Sequence, residues 1–378
     1  MSTTIIEKPG LFGQKHSNRD YTKEKTWGKN QFNSSFPASL VAYMSFKGIE
    51  PVYVHTDRKL NIVHNYISGT DLYGLDPCSD ELYYAFETSF APFDHYFIGT
   101  KKTENIDLVL FSIKEGRKPL RGLEIKLTAL PDDSTKNLSE EQRSCEIVVR
   151  SPTICYAACS ICSHYATESQ KQKLRKLLQG VPNIDHWENR NDVGPHYDAI
   201  REAVERVLKD MTKYQSPLMI QPVWKTDPKT MQLTDDCLDV FVWSNLALIK
   251  VCTDAEFRVT RRKNGTINYG ISRFQRTVIW LYRMLFDYVT YEGVFDYGKI
   301  TSTMSYGTKT DKAFAPSGIH TIKFLKSPEL THPRIKKSEI KEIIIGGGHK
   351  YLKPERRFDA TIVATPELFD EKRKEDCL

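Results

Sequence analysis

Two short runs of strand-forming residues between positions 105 and 130 constrain the fold more than any other part of the 378-residue chain. The first run is NIDLVLFSI, which begins at Asn105, and the second is LEIKLTAL, which begins at Leu123. Large apolar residues dominate both runs, and a polar segment, EGRKPLRG, separates them. The pattern predicts a β-hairpin or a pair of adjacent strands.

Other strand and helix patterns surround these two runs. Strand patterns occupy 52–55, 61–67, 144–150 and 238–243, and helical spacing of apolar residues occupies 36–48, 80–90, 153–179, 196–214 and 273–290. An Asn264-Gly265 pair between strand-forming residues predicts a hairpin with a tight two-residue turn. The predicted fold class is α/β (α+β), with a central mixed β-sheet flanked by helices.

Polarity divides the chain into four parts. Residues 1–35 are rich in Lys, Asn, Ser and Gly and are predicted to form an N-terminal arm, whereas 36–215 hold the predicted core. Residues 216–368 form a second region, and 369–378 are a charged tail. No run approaches the roughly 18–20 apolar residues of a membrane helix, and eight cysteines without a secretory signal are typical of free thiols. We therefore expect a cytoplasmic protein.

Charged residues interrupt the two apolar runs at Asp107, Glu124 and Lys126. Alternation along a strand puts Glu124 and Lys126 on one face and their apolar neighbours on the other. Two carboxylates on adjacent strands repel each other unless a cation lies between them. Mg²⁺ is commonly held by one or two carboxylates with other oxygen ligands and water. We therefore predict that Asp107, Glu124 and the carbonyl of Ile125 hold Mg²⁺.

Lys126 is predicted to orient an attacking water and to offset negative charge at phosphorus during phosphodiester hydrolysis. The Glu-x-Lys pattern also arises by chance, since Glu339-Ile340-Lys341 is a second copy and Glu256-Phe257-Arg258 is a near copy. Only the copy that begins at Glu124 is embedded in apolar, strand-forming residues. The sequence therefore favours that copy as the catalytic one.

Seven basic residues and no acidic residue lie between Arg258 and Arg283. A two-stranded ribbon fits the major groove of DNA, where Arg and Lys can bridge guanine and Asn can bridge adenine. The predicted base-reading residues are Arg261, Arg262, Lys263 and Asn264, and the predicted phosphate-binding residues are Arg273 and Arg276. A solvated basic hairpin is the alternative interpretation.

A second basic stretch, 323–357, contains Gly346-Gly347-Gly348 followed by His349 and Lys350. Glycines let a backbone approach a phosphate closely. The flanking residues of a phosphate-binding P-loop are missing. We therefore predict that His349 and Lys350 belong to a loop that contacts DNA.

Two other groups have alternative interpretations. Cys155, Cys159 and Cys162 suggest a zinc site, but their spacing follows one face of a helix, which favours packing in the core. Glu87 lies on the predicted helix before Asp107 and is either an additional metal-assisting residue or an exposed charge.

Asp107 on one strand and Glu124-x-Lys126 on the next resemble the PD-(D/E)xK nuclease core, although Ile106 stands where that pattern has proline. Three longer stretches are similar to the HindVP-type family of type II restriction endonucleases. They are PGLFGQKHSNRDYTKEKTWGKNQFNSSFPASL, SRFQRTVIWLYRMLFDYV and GGGHKYLKPERRFDATIV. The similarity runs over nearly the whole chain.

This resemblance implies a restriction-endonuclease-like core, elaborated by the N-terminal arm and by a C-terminal region, 216–368, for DNA recognition and dimerisation. It implies Mg²⁺-dependent hydrolysis of double-stranded DNA within GRCGYC, which gives 5′-phosphate and 3′-hydroxyl ends, with Asp107, Glu124 and Lys126 as catalytic residues. The implied partners are a second copy of the chain and a cognate DNA methyltransferase of the same system, which acts on the same DNA without forming a complex.

Two other functions remain open from the residues alone. The first is a non-catalytic DNA-binding protein in which the basic hairpin binds DNA and Glu-x-Lys is accidental. The second is a structure-specific DNA repair nuclease built on the same core. Cleavage at a fixed sequence distinguishes the restriction endonuclease from both.

Overall fold

The structure is a computed structural model that describes six longer ranges of the chain, 11–19, 29–56, 62–99, 105–129, 148–211 and 270–308. It also describes these shorter pieces: 218–222, 225–227, 232–234, 239–243, 249, 252–253, 260–261, 267–268, 310, 313–314, 335, 339 and 343. No helix in these parts is long and apolar enough to cross a membrane.

The helices whose bounds are described lie mostly around the middle of the chain. They are α1 (Lys29–Phe46), α2 (Gly69–Tyr73), α3 (Ser151–Ser163), α4 (Glu168–Leu177), α5 (Arg190–Val193), α6 (Tyr197–Met211), α7 (Arg273–Thr290) and α8 (Tyr297–Thr303). Ser272 begins α7 with a capping box, in which its side chain accepts from the Gln275 amide and the Gln275 side chain accepts from the Ser272 amide. Single 3₁₀ turns occupy Ala91–Phe93 and Gly194–His196.

The described strands fall into two larger sheets and three short pairs. They are β1 (His16–Ser17), β2 (Val52–Thr56), β3 (Ile62–Tyr66), β4 (Leu82–Ser89), β5 (Asn105–Ser112), β6 (Lys118–Leu123), β7 (Ile125–Ala129), β8 (Val148–Val149), β9 (Leu218–Pro222), β10 (Lys225–Asp227), β11 (Gln232–Thr234), β12 (Asp239–Trp243), β13 (Thr260–Arg261), β14 (Ile267–Asn268) and β15 (Ala313–Phe314).

The first sheet has the order β1-β4-β5-β6 and is mixed, since β1 runs parallel to β4 while β4, β5 and β6 form an antiparallel meander. The second sheet has the order β3-β2-β9-β12-β7, and its described pairs are antiparallel. Only Glu124 separates the end of β6 from the start of β7. The chain therefore passes from the first sheet to the second at a residue predicted to be catalytic. The predicted pairing of the two apolar runs is wrong, because β7 of the second run pairs with β12, and the strand beside β5 is β6, from the polar segment between the runs.

Two apolar clusters cover the first sheet. One cluster joins α1 residues such as Phe36 and Leu40 to Tyr84 and Leu108 of the sheet. The other joins Val109 of the sheet to α3, α6 and α7. The predicted α+β class, with a mixed sheet flanked by helices, is confirmed, as are the elements predicted at 52–55, 61–67, 196–214, 238–243 and 273–290.

The helix predicted at 80–90 is wrong, because this segment contains strand β4. Leu82, Tyr84 and Phe86 enter the apolar cluster with α1, whereas Ala85 enters the other cluster. Alternation between two buried faces is the signature of a strand with both sides covered. Large apolar residues on both faces also fit a helical spacing, and pairing with β5 decides between the two.

The long helix predicted at 153–179 is two helices, α3 and α4. Thr167 caps α4 with a capping box to Gln170, which starts a new helix where a continuous one was expected. Helix α1 begins at Lys29, seven residues before the predicted start at Phe36. Of the strand predicted at 144–150, the described part is β8, at Val148–Val149.

The predicted N-terminal arm packs onto the core where the structure describes it. Leu11 is 2% exposed and belongs to the apolar cluster with α1, and the Gln14 side chain donates to the Ser35 carbonyl and the Ser39 hydroxyl. Leu11 and Gln14 therefore contact the core although they belong to the predicted arm. The division of the chain into four regions stays a prediction.

The basic hairpin forms between β13 and β14, but its register differs from the predicted turn. Thr260 pairs with Asn268 and Arg261 pairs with Ile267, which leaves five residues, 262–266, between the last described partners. A two-residue turn at Asn264-Gly265 would pair Arg261 with Asn268 instead. The odd number of intervening residues is typical of a three-residue or five-residue hairpin loop.

Candidate active site

Asp107 and Glu124 occupy opposed positions at one end of the first sheet. Strands β5 and β6 are antiparallel, and Leu108 pairs with Leu123 at the last described position of the ladder. The next position outward places Asp107 opposite Glu124. Glu124 itself directly follows the last residue of β6, so this position extends the register by one residue and brings the two carboxylate-bearing residues together, as the sequence predicts.

A hydrogen bond fixes the Asp107 carboxylate. The Ile125 amide donates to Asp107 Oδ2 at 2.7 Å. Ile125 starts β7 and pairs with Trp243 of the second sheet, so this contact spans the point at which the chain changes sheets. A carboxylate that accepts a main-chain amide is held by a charge-assisted hydrogen bond, which is stronger than one between neutral groups.

Glu124 is buried, with 7% of its surface exposed. The Thr153 hydroxyl, in the first turn of α3, donates to Glu124 Oε1 at 2.7 Å. A buried charge is costly unless it is hydrogen-bonded or paired, so this donor offsets part of the cost of burial. Helix α3 therefore supports the acidic residue directly.

Gly122 and Tyr156 form a second contact between the same helix and the same strand. The Tyr156 hydroxyl donates to the Gly122 carbonyl at 2.6 Å. A Cβ on Gly122 would lie 2.7 Å from Tyr156 Oη and 2.9 Å from Ile106 Cδ1, so only glycine permits this approach. Burial raises the pKa of the Tyr156 hydroxyl, and Glu124 raises it further, so the hydroxyl remains a donor.

The third predicted catalytic residue, Lys126, is described only through its backbone. It belongs to β7 and pairs with Val242 of β12. Its side chain lies outside the described part of the structure. Its predicted role as the catalytic lysine therefore stays a prediction.

The donor set at this end of the sheet fits a hard divalent cation. Asp107 and Glu124 supply carboxylate oxygens, and Ile125 supplies a main-chain carbonyl, which are the ligand types that Mg²⁺ prefers. Each carboxylate oxygen has two lone pairs, so a hydrogen bond to one oxygen is compatible with coordination. In the described ranges, no group of three or more His, Cys, Asp or Glu side chains could hold a metal ion. Such a cation therefore needs carbonyl, water or substrate oxygens in addition to these two carboxylates.

Glu87 does not lie on a helix, which corrects the prediction for this residue. It belongs to β4, and the ladder that pairs Phe86 with Leu108 and Thr88 with Ile106 places Glu87 opposite Asp107. The backbone of Glu87 has φ of +49°, which breaks the regular alternation of the strand. Glu87, Asp107 and Glu124 therefore occupy matching register positions across β4, β5 and the end of β6, and we call these three residues the acidic row.

The predicted DNA-binding residues are only partly described. Arg261 is seen through its backbone in β13, and Arg273 begins α7 with a half-buried side chain. Arg262, Lys263, Asn264, His349 and Lys350 lie outside the described residues.

Arg276 does not have the surface position that phosphate binding requires, because its side chain is only 1% exposed. Its guanidinium lies 4.4 Å from the centre of the Trp280 ring and donates to the Thr310 carbonyl at 2.9 Å. The prediction that Arg276 binds phosphate is therefore wrong for this conformation, because helix α7 turns the side chain into the core.

The cysteines of α3 are buried free thiols. Cys155, Cys159 and Cys162 are each at most 3% exposed, and burial raises the pKa of the Cys159 and Cys162 thiols. Metal ligation needs the thiolate form, which this environment disfavours. Packing in the core, rather than a zinc site, is therefore the role that the structure supports for these three residues.

Sequence reasoning missed Thr153, Tyr156 and Gly122. Thr153 and Tyr156 are three positions apart on a helix, so they share a face, and that spacing is the signal that could have identified them. The residues are common core residues, however, and only the fold brings them to the acidic row. The second Glu-x-Lys copy has a structural contact, since Glu339 accepts from the Tyr43 hydroxyl at 3.1 Å.

Comparison with known proteins identifies the family. A family model described as HindVP restriction endonuclease matches residues 27–369. The type II restriction enzyme HgiDI from Herpetosiphon aurantiacus is 40% identical over 367 residues, which cover 97% of this chain and 98% of that protein. A probable type II restriction enzyme from Haemophilus influenzae, HindVP, is 40% identical over 365 residues, which cover 96% and 95%. No solved structure matches the chain. As the sequence resemblance predicted, the chain belongs to the HindVP restriction endonuclease family and is a site-specific deoxyribonuclease.

Proposed function

We propose that this restriction endonuclease is a type II enzyme whose active site consists of Asp107, Glu124 and Lys126 on a restriction-endonuclease-like core. The observation that carries the proposal is the opposed position of Asp107 and Glu124, each held by a hydrogen bond at the end of the first sheet. Both relatives are named as type II or probable type II enzymes, which supports the class.

Mg²⁺ is the cation that we propose for this site, with Asp107, Glu124 and the Ile125 carbonyl as its protein ligands. When bound, such a cation supplies Lewis-acid charge that stabilises the negative charge developing around phosphorus. The two carboxylates would hold this cation at the end of the sheet, where the Thr153 hydroxyl of α3 and the Ile125 amide already orient them.

Water is the proposed nucleophile, and it forms a new bond to phosphorus while the bond from phosphorus to the 3′ oxygen breaks. The products are a 5′-phosphate and a 3′-hydroxyl, which receives a proton. Lys126 carries a positive charge that can orient the water and offset charge in the transition state. The cut thus needs the lysine for orientation and the carboxylates for holding the cation.

Recognition of DNA is assigned to the region 216–368, and its proposed contacts are Arg261, Arg262, Lys263, Asn264, Arg273, His349 and Lys350. The family resemblance implies the site GRCGYC, which reads the same on both strands. A twofold homodimer matches that symmetry, because each active site then serves one strand. A methyltransferase of the same system would modify the same site and protect host DNA.

Plasmid digestion tests this proposal. Wild-type enzyme with Mg²⁺ is expected to give discrete, religatable fragments that end within GRCGYC, and no cleavage with a chelator. Asp107→Asn is expected to abolish cutting, whereas Asp198→Asn, which removes an exposed carboxylate on α6, serves as the matched control.

Any other result of the digestion contradicts one part of the proposed function. Discrete fragments with another end sequence would exclude GRCGYC, and a smear would favour a structure-specific nuclease. Full activity of Asp107→Asn would exclude the proposed active site.

A further inference from the structure

We propose that Thr153 and Tyr156 are positioning residues that hold Glu124 in its catalytic orientation. Both lie on α3, and they reach two points of the same short segment, the Gly122 carbonyl and the Glu124 carboxylate. This inference rests on the proposed active site. It adds to that site a support whose residues are absent from the Asp-Glu-Lys pattern.

Glu124 needs such support because of its place in the fold. It is the single residue between β6 of the first sheet and β7 of the second, so it lies outside both strands. The ladder with β5 is described only as far as Leu123. A residue at such a step lacks the regular pairing that orients side chains within a sheet, and other contacts must set its direction.

Helix α3 makes two hydrogen bonds to the segment in which the chain changes sheets. Tyr156 Oη donates to the Gly122 carbonyl at 2.6 Å, and Thr153 Oγ1 donates to Glu124 Oε1 at 2.7 Å. Thr153 is 3% exposed and Tyr156 is 5% exposed, so water competes little with either bond. Spacing of three residues along a helix places both donors on one face.

The Asp107 side supplies the complementary restraint. Its carboxylate accepts a hydrogen bond from the Ile125 amide, and Leu123 pairs with Leu108, so the residues immediately before and after Glu124 are both tied to β5. Glu124 is therefore held from α3 through its side chain, and from β5 through the amide that follows it. Loss of the α3 contact would leave the backbone in place and remove one restraint on the orientation of the carboxylate.

Thr153→Val is the sharpest variant, because it keeps the shape of the side chain and removes only the donor. Removing an outer hydrogen bond from a metal ligand typically costs about 10- to 100-fold in activity or metal affinity. We expect kcat for cleavage to fall in that range, with an unchanged KM for DNA. Titration calorimetry with Mn²⁺ alone should show a matching loss of affinity for the DNA-free protein.

Thr153→Ser keeps a hydroxyl and is expected to recover most of both values. Thr277→Val is the matched control, since Thr277 is 1% exposed and its hydroxyl donates to the Phe274 carbonyl of its own helix, α7. Both valine variants lose one buried hydroxyl, but only one of these hydroxyls contacts Glu124. Rates are compared per folded molecule, with the folded fraction measured by circular dichroism.

Several results would overturn the inference. They are equal kcat and Mn²⁺ affinity in Thr153→Val and wild type, equal losses in Thr153→Val and Thr277→Val, or a Thr153→Ser variant as impaired as Thr153→Val. If Thr153→Val does not fold, Tyr156→Phe replaces it, and it is expected to lower kcat without changing KM. An unchanged kcat for Tyr156→Phe would then overturn the inference.

Asp107→Asn, measured in parallel, separates this inference from the proposed function. Full activity of Asp107→Asn would refute the active site itself. An inactive Asp107→Asn together with a fully active Thr153→Val would refute only the positioning role.

Discussion

Arg19 forms an ion pair with Glu87, the residue that stands opposite Asp107 in the register of β4 and β5. The distance from Arg19 Nη2 to Glu87 Oε1 is 3.3 Å, and the guanidinium lies 4.4 Å from the centre of the Phe86 ring. The Arg19 side chain is 7% exposed although it belongs to the predicted N-terminal arm. An arm residue is therefore buried beside the acidic row.

Arg19→Met is expected to lower the free energy of unfolding by about 1–3 kcal/mol, because Arg19 also donates to the hydroxyls of Ser34 and Ser35. Urea unfolding measures the loss. Lys15→Met is the matched control, since Lys15 pairs with Asp80 on the surface, where ion pairs contribute little, and it should leave stability unchanged. Equal stability of the two variants would contradict a structural role for Arg19.

Gly122→Ala is expected to impair both folding stability and cleavage. The new Cβ would lie 2.7 Å from Tyr156 Oη and 3.0 Å from Phe90 Cγ, so the strand or the helix must shift. Overpacking of this kind costs about 1–3 kcal/mol. The shift also displaces the segment that leads into Glu124, so cleavage per folded molecule should fall.

Gly298→Ala makes the same change where there is room, because the nearest atom to its Cβ is Asp296 Oδ1 at 3.5 Å. Alanine in a helix is favoured over glycine, so Gly298→Ala should be neutral or stabilising. Urea midpoints and initial cleavage rates of both variants provide the comparison. A Gly122→Ala enzyme with wild-type stability would show that the close approach is not required.

His164 gives the protein a predictable response to acid. Burial lowers the pKa of His164 from its ordinary value of 6.5, so the folded state favours the neutral ring. As the pH falls below about 6.5, the ring is protonated in the unfolded chain before it is protonated in the folded protein. The contribution of His164 to the free energy of unfolding is complete above about pH 6.5, and it is lost as the pH falls to the lower pKa of the folded state. His164→Asn should therefore flatten the decline of urea midpoints below about pH 6.5. An identical decline of the urea midpoint with falling pH in His164→Asn and in the wild type would contradict this role.

The proximity of Asp107 and Glu124 was predicted from sequence, but the strand pairing that produces it was not. Strand β6, which comes from the polar segment between the two apolar runs, pairs with β5, and Glu124 directly follows its last residue, Leu123. The second apolar run forms β7 instead, which pairs with β12 of the second sheet. Helix α7 was also predictable, since its apolar period is long and its capping residue, Ser272, is a strong start signal.

Other features depend on contacts between distant parts of the chain. The change of sheet at Glu124 is set by pairing between Ile125 and Trp243, which are far apart in sequence. Likewise, β4 is a strand because β5 lies beside it, and Thr153 becomes important only when α3 packs on the sheet. Local periodicity does not report such contacts, which explains the wrong helix at 80–90.

Arg276 illustrates the same limit, because its basic neighbours suggest DNA binding whereas its environment is the core. Its guanidinium donates to the Thr310 carbonyl and covers the Trp280 ring. Arg276→Gln should leave the buried carbonyl without this donor and lower the free energy of unfolding by about 1–3 kcal/mol. The DNA affinity of Arg276→Gln should depend on salt concentration as steeply as that of the wild type.

Arg273→Gln is the comparison, because Arg273 is half-buried at the start of the same helix. Loss of one phosphate contact lowers the slope of log affinity against log salt by about one. We expect that change for Arg273→Gln and not for Arg276→Gln, with binding measured by fluorescence anisotropy at several salt concentrations without divalent metal. The reverse pattern, with a reduced slope and unchanged stability for Arg276→Gln, would mean that α7 rotates on DNA to present Arg276, because a side chain buried against Trp280 cannot otherwise reach a phosphate.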